Sequence, residues 1–230
     1  MIQLSKELMH SFVSAAVQPM KPYYQLTPGK HYHTLQHIQN MLEFCLEHAD
    51  TLGKLYPVLT AADGFKQLIT AILWHDADYR PGDQGNEIRA AALYMEHNGK
   101  DADIVVGKAV LSTMIGNSTF NNAVELVLHD LDYSNFLDEI KMAEAEEQLY
   151  QEYLDTVHPD GSDPTLEDRR DFLKRQRAFY HTMCGPCIFV SLFAEHDEQA
   201  QVNVAKRIDS LSDAIKLCEE AIATCSNGPF

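Results

Sequence analysis

Basic residues are scarce in this chain of 230: 18 lysines and arginines face 34 aspartates and glutamates, a formal net charge of −16. So acidic a protein is excluded from taking long nucleic acid as its main partner, because polyphosphate affinity comes largely from Lys/Arg neutralisation. An anionic membrane surface is disfavoured for the same reason. Long apolar runs are missing too, and nothing approaches the roughly 18 residues of a membrane span. The first residues, MIQLSKELMHSF, lack the apolar core of a signal peptide, and Leu4, Leu8 and Phe12 fall four apart as on an amphipathic helix. Strand signals are nearly absent: no clean alternating run occurs, and no Asn-Gly or Asp-Gly hairpin. The five cysteines form no secreted framework, which points to a cytoplasmic protein with reduced thiols. None of these absences excludes a small phosphate ester in a local site.

What is present is helical periodicity and histidine. At 45% apolar residues the chain can bury a core without staples. The pattern predicts helices over 32–49 (Leu35, Ile38, Leu42, Cys45 and Leu46 on one stripe), 61–76, 86–97 after an Asn86 cap, 101–115 after Asp101, and 119–131 after Ser118/Thr119. Further helices are predicted over 136–156, 164–183, 187–203 and 206–225, with Ile188-Phe189-Val190 read as core helix. Pro/Gly-rich breaks fall at 19–30, 77–86 and 158–164. The expected fold is all-α, a single domain over 1–230. Its core motifs lie within 30–135, and the helices of 136–226 pack on them.

The 11 histidines are unevenly spread. His33 and His37 are four apart, a spacing that on a helix puts two imidazoles on one face. It is not the zinc-peptidase pattern, since Thr34 stands where that motif places its Glu. Trp74-His75-Asp76 ends an apolar helix with an imidazole beside a carboxylate. His129-Asp130-Leu131-Asp132 ends another, where an acid opposes the helix dipole and calls for a compensating cation. His, His-Asp and Asp on converging helices make a mixed N/O donor set. Such a set suits one divalent ion among Mn, Fe, Co, Ni and Mg better than a thiolate zinc site.

At these residues the sequence resembles the HD-domain superfamily of metal-dependent phosphohydrolases, in particular a branch of small hydrolases with a YHxxxH segment. The likeness is carried by Tyr32 to Ile38, by Trp74-His75-Asp76-Ala77, by Asn86-Glu87 with Ala90-Ala91, and by Asp130-Leu131-Asp132. Weaker features lie at Arg177–Tyr180 and Ala205-Lys206-Arg207. The resemblance spans roughly residues 20–210 and implies an HD-domain-like helical bundle. It implies His37, His75, Asp76 and Asp132 as metal ligands, with Asp130 the substitute for the last. His33 would sit beside the metal and contact phosphate, Glu87 would orient or deprotonate the attacking water, and Lys30 and Arg89 would neutralise the phosphate. Asp76 is the other candidate for taking the water's proton. The implied activity is hydrolysis of a phosphate ester of a small molecule, a nucleotide first, of phosphomonoesterase, nucleotidase or phosphodiesterase type. Homo-oligomerisation is left open.

The chain departs from the family at Ser112–Asn117, where relatives carry a Thr followed by a His and this sequence has no His. That keeps an alternative in play: a degenerate HD domain binding a nucleotide or protein partner without turnover. A di-iron oxygenase of the same fold would need further ligands, and only His97 and His129 are candidates. Cys184-Gly185-Pro186-Cys187 copies the thioredoxin tetrapeptide, but it follows a helical run rather than a strand, so it is read as a helix break. The acidic stretch 136–156 is read as a solvated face.

Overall fold

Most of the apolar-periodic stretches become helix, and no strand occurs among the described residues. The computed structural model describes residues 4–25, 28–115, 117, 119–185 and 187–226; Ser118 and Pro186, named above, lie outside them. The class is all-α, consistent with a helical bundle. The helices are α1 (Lys6–Val17), α2 (Lys21–Gln25), α3 (Leu35–Glu47), α4 (Ala49–Leu55), α5 (Ala62–Trp74), α6 (Asn86–Asn98), α7 (Ile104–Ser112), α8 (Ala123–Asp132), α9 (Glu139–Val157), α10 (Leu166–Met183) and α11 (Asp197–Ser226). No described helix is long and apolar enough to cross a membrane.

The chain divides into two compact units. The first comprises Met1–Ser134 with Phe189–Ala194. Its centre is α5, which buries Phe65, Leu68, Ile69, Ala71, Ile72, Leu73 and Trp74, every residue of its last turn among them, while Asp63 and Lys66 stay exposed. A helix end buried on every side belongs at the middle of a bundle. Gly64 lets it start there: a Cβ at that position would stand 2.1 Å from the Val58 carbonyl oxygen. Against α5 pack α3, through Ile38, Met41, Leu42, Cys45 and Leu46, and α8, through Val124, Val127, Leu128 and Leu131.

Several helix starts differ from expectation, each for a local reason. Helix α3 begins at Leu35, with Thr34 extended as its N-cap, so His33 precedes the helix and shares no helical face with His37. Helix α6 is preceded by Gly85 in the left-handed region (φ 88°). Asn86 is its first residue, and its side chain serves the loop before it, accepting from Arg80 N at 2.9 Å and donating to Asp83 O at 3.2 Å. Asp103, not Asp101, caps α7 by accepting from Val105 N. Asn122 caps α8 by accepting from Val124 N and Glu125 N.

The largest departure is at 187–203. Residues 188–193 are not helical, although all but the half-buried Val190 are buried. Asp130, fully buried on α8, accepts the backbone N–H groups of Val190 (2.9 Å), Ser191 (2.9 Å) and Phe193 (3.1 Å). Burial pushes the Asp130 carboxyl up, and those three donors oppose the rise. A segment whose N–H groups are taken by one carboxylate does not wind into a helix. Beyond it, α11 runs unbroken through the break expected at 203–206, because Val204, Ile208, Leu211 and Ile215 continue one buried stripe.

The second unit comprises Asn135–Ile188 and Glu195–Phe230. Helices α10 and α11 pair along their length, and α9 packs on α10. The acidic helix α9 is only partly the solvated face expected of it. Asp138, Glu139, Glu144, Glu147 and Asp155 are exposed, but Glu146 and Glu152 are buried. Glu146 holds the Arg207 guanidinium with both oxygens. Cys184 ends α10, the opposite end from a redox motif's first cysteine, and both Cys184 and Cys187 are free thiols. At the other end of α10, Thr165 and Asp168 form a capping box, and His158 bridges Ser162 Oγ (2.7 Å) and Asp168 Oδ2 (2.9 Å).

Two outcomes follow. Asp130→Ala leaves three backbone donors without their acceptor and should cost roughly 3 kcal/mol or more of unfolding free energy in urea. The Thr165 hydroxyl and amide, then His158, hold the Asp168 carboxyl down at about 2. A carboxyl lowered on folding adds stability above its unfolded pKa of about 3.9, lost as pH falls through the folded value. Asp168→Asn should therefore flatten the decline in melting temperature between about pH 4 and pH 2.

Candidate metal centre

Three helix ends deliver the chemistry. His37 lies in the first turn of α3, His75 caps the C-terminus of α5 with Asp76 next to it, and Asp132 is the last residue of α8. The C-terminal ends of α5 and α8 carry the negative pole of the peptide dipoles, and each presents a carboxylate there. That is unfavourable without a cation.

The side chains converge. One atom each from His37, His75 and Asp132 lies within 4.8 Å of the others, so this group could hold a metal ion. His37 Nε2 is 3.3 Å from Asp132 Oδ1 and 3.8 Å from Asp76 Oδ2. His75 Nε2 is 3.1 Å from Asp76 Oδ2 and 3.6 Å from Asp132 Oδ1. Despite these approaches neither Nε2 has a hydrogen-bond partner, although both are buried. Two orphaned ring nitrogens facing carboxylate oxygens fit a shared cation better than a pair of hydrogen bonds. His75 adds a second sign: its Nδ1 lies 2.8 Å from the Ile72 carbonyl. A proton on Nδ1 leaves the Nε2 lone pair for an ion, the arrangement that orients metal-ligating histidines.

The electrostatics agree. Burial alone would push the His75 imidazole down, but Asp76 and Asp132 outweigh it and hold it well above its ordinary value. Burial pushes both carboxyls up, yet His75, with His33 at Asp76 and His37 at Asp132, holds each well below the usual carboxylate range. The carboxylates are thus ionised, as metal ligands must be. Asp132 is the most open of the four, its side chain 22% exposed against 1% for His75, so a ligand approaches from that side.

The other expected residues sort clearly. Asp130 holds the 190–193 segment, which leaves Asp132 as the α8 carboxylate of the group. His33 stacks on Tyr79 and lies in the field of Asp76. Glu87, half-buried in the first turn of α6, joins Asp132 in raising the buried Tyr133 hydroxyl, after burial itself. Lys30 sits over the Tyr24 ring, and Tyr24 in turn feels Asp76 and Asp132. Arg89 is engaged by Asp83 (2.8 Å), Asp78 (3.9 Å) and Asn86, and so serves the 77–86 loop. His97 Nδ1 lies 2.7 Å from the Tyr23 hydroxyl, and His129 packs between Phe120 and Tyr133; neither belongs to the three-residue group. Tyr79 and Tyr133 were not singled out from the sequence. Tyr79, three residues past Asp76, carried only its nearness as a signal.

No family model, no curated protein and no solved structure matches this chain.

The geometry predicts one divalent ion per chain by elemental analysis after loading with Mn²⁺ or Co²⁺ and desalting. His75→Ala and Asp132→Ala should each lower occupancy about tenfold or more, while Asp130→Asn should leave it unchanged.

Proposed function

We propose that the protein is a metal-dependent phosphohydrolase acting on a phosphate ester of a small molecule, with nucleotides as the first substrate class. The observation that carries this reading is the pair of buried, unpartnered ring nitrogens of His37 and His75 facing Asp132 and Asp76. The resemblance of the surrounding motifs to the HD-domain phosphohydrolases supports it, and so does the mixed N/O donor set, which suits a hard or borderline divalent ion. His37, His75 and Asp132 would hold the ion, with Asp76 alongside. When bound, such an ion supplies Lewis acidity toward water and a phosphoryl oxygen.

The remaining work falls to the chain's own side chains. Asp76, held ionised, balances charge and orients a water by accepting its hydrogen bond. Asp76 with so lowered a carboxyl is a weak base, and Glu87 is the other candidate to take the water's proton. His33 and Lys30 offer donor groups to phosphate oxygens. Together with a cation they would reverse the local field, which lets a small phosphate approach an otherwise acidic protein. Arg89 contributes by ordering the loop after Asp76.

A second reading, binding without turnover, is favoured by the 112–117 region. Ser112 and Thr113 bond back to the Ala109 and Val110 carbonyls, and no histidine stands there to assist chemistry.

The full chain loaded with Mn²⁺ or Co²⁺ should release phosphate from at least one member of a nucleotide panel. Asp76→Ala should reduce kcat/KM by on the order of 100-fold. Metal binding without turnover would favour the binding module. Two irons per chain without phosphate release would favour the oxygenase. Unchanged metal content and unchanged turnover in Asp76→Ala would refute the assignment.

A further inference from the structure

His33, expected on the face of a helix, lies in none. It precedes α3, in a bend at residues 31–34. Its ring is nevertheless closely placed. It lies flat against Tyr79, with centroids 3.4 Å apart and planes 14° from parallel. Tyr32 meets it edge-on at 4.9 Å and 86°, and the same Tyr32 ring lies over the ligand His37 at 4.7 Å and 35°. An aromatic series Tyr79–His33–Tyr32–His37 therefore joins the 77–86 loop to the metal group. A stacked ring is fixed in plane by its faces, while its nitrogens lie at its edges.

Tyr79 is itself well anchored. Its backbone N–H donates to the Asp76 carbonyl at 3.2 Å. The next residue, Arg80, donates its N–H to Asn86 Oδ1, and Asn86 returns two side-chain donations, to Arg80 O and Asp83 O. Arg89 then ties Asp83 to α6. The loop is thus held between the end of α5 and the start of α6, and it presents Tyr79 at a set place beside Asp76. This arrangement gives Asn86 and Arg89 a reason to sit where they do without either touching a substrate.

We propose that Tyr79 is a positioning residue that holds His33 where it hydrogen-bonds phosphate at the His37–His75–Asp132 group. The inference rests on the metal-centre reading but adds a residue, and a route of action, that the motifs do not contain. Tyr79 contributes by its ring face, so Tyr79→Phe should preserve its effect and Tyr79→Ala should abolish it.

The test uses the full chain loaded with Co²⁺ and inorganic phosphate as the probe, followed by calorimetric titration. His33→Asn and Tyr79→Ala should each weaken phosphate binding about tenfold, the size of one hydrogen bond to a charged group. Metal content should be unchanged in both. Tyr79→Phe should bind like the parent, and the double variant should bind no more weakly than either single, because both remove one interaction. Ring-proton shifts of His33 in the NMR spectrum should move away from their stacked positions in Tyr79→Ala and stay in Tyr79→Phe. Unaltered phosphate affinity in Tyr79→Ala overturns the proposal, as does a loss in the double variant equal to the sum of the singles. A parent protein that binds Co²⁺ but not phosphate overturns it too. A parent that takes up no metal instead removes the metal-centre reading beneath it.

Discussion

Two carboxylates at the C-terminal ends of two helices, Asp76 buried and Asp132 half-buried, with two imidazoles opposite them, form the constraint around which the first unit is arranged. An ionised carboxylate removed from water costs several kcal/mol unless it is paired or bound to a cation. Here the dipoles of α5 and α8 add to that cost rather than relieve it. The imidazoles offset part of it as charged partners, at the expense of a raised proton affinity on His75. A divalent ion would offset more of it and leave the rings neutral, with their nitrogens used. The unpartnered Nε2 atoms are what an ion site looks like when its geometry is set by the helices and not by mutual hydrogen bonding.

Rigidity comes from the apolar packing beneath. The last turn of α5 is buried on every side, so the residue that follows it has little freedom, and the Ile72 carbonyl selects the ring edge that His75 presents. Helices α3 and α8 pack on α5 through their own apolar stripes and bring His37 and Asp132 to the same end. A site built on helix ends in this way is held in place by the core beneath it rather than by its own contacts.

Much of this was legible in the residues. Helical period identified the class, and His75-Asp76 at the end of an apolar run identified the centre. What was not legible was tertiary. A period-3.6 pattern shows which face is buried but not whether a backbone N–H bonds within its own helix, so residues 188–193 read as helix until Asp130 is seen taking three of their donors. Glu146 and Glu152 look the same in sequence as their exposed neighbours, and only the position of Arg207, some sixty residues on, makes Glu146 a buried partner. The His33/His37 spacing suggested one helical face, yet Thr34 begins the helix between them. The two rings are related instead through Tyr32, a contact that sequence spacing does not encode.

Asp130 and Asp132 show how one helix end can serve two purposes. Residues two apart on an α-helix point about 200° apart, to nearly opposite sides. Aspartates at this spacing therefore cannot share a metal ion on a regular helix; they must face different neighbours. Asp130 faces the chain at 190–193 and fixes it as non-helical backbone, and Asp132 faces His37 and His75. The acids differ in their surroundings in the corresponding sense: burial raises the Asp130 carboxyl even against its backbone donors, while the imidazoles facing Asp132 outweigh burial and lower its carboxyl. The choice between them as ligand, open when only Asp-Leu-Asp is read, is decided by which of the two sides carries a second nitrogen donor.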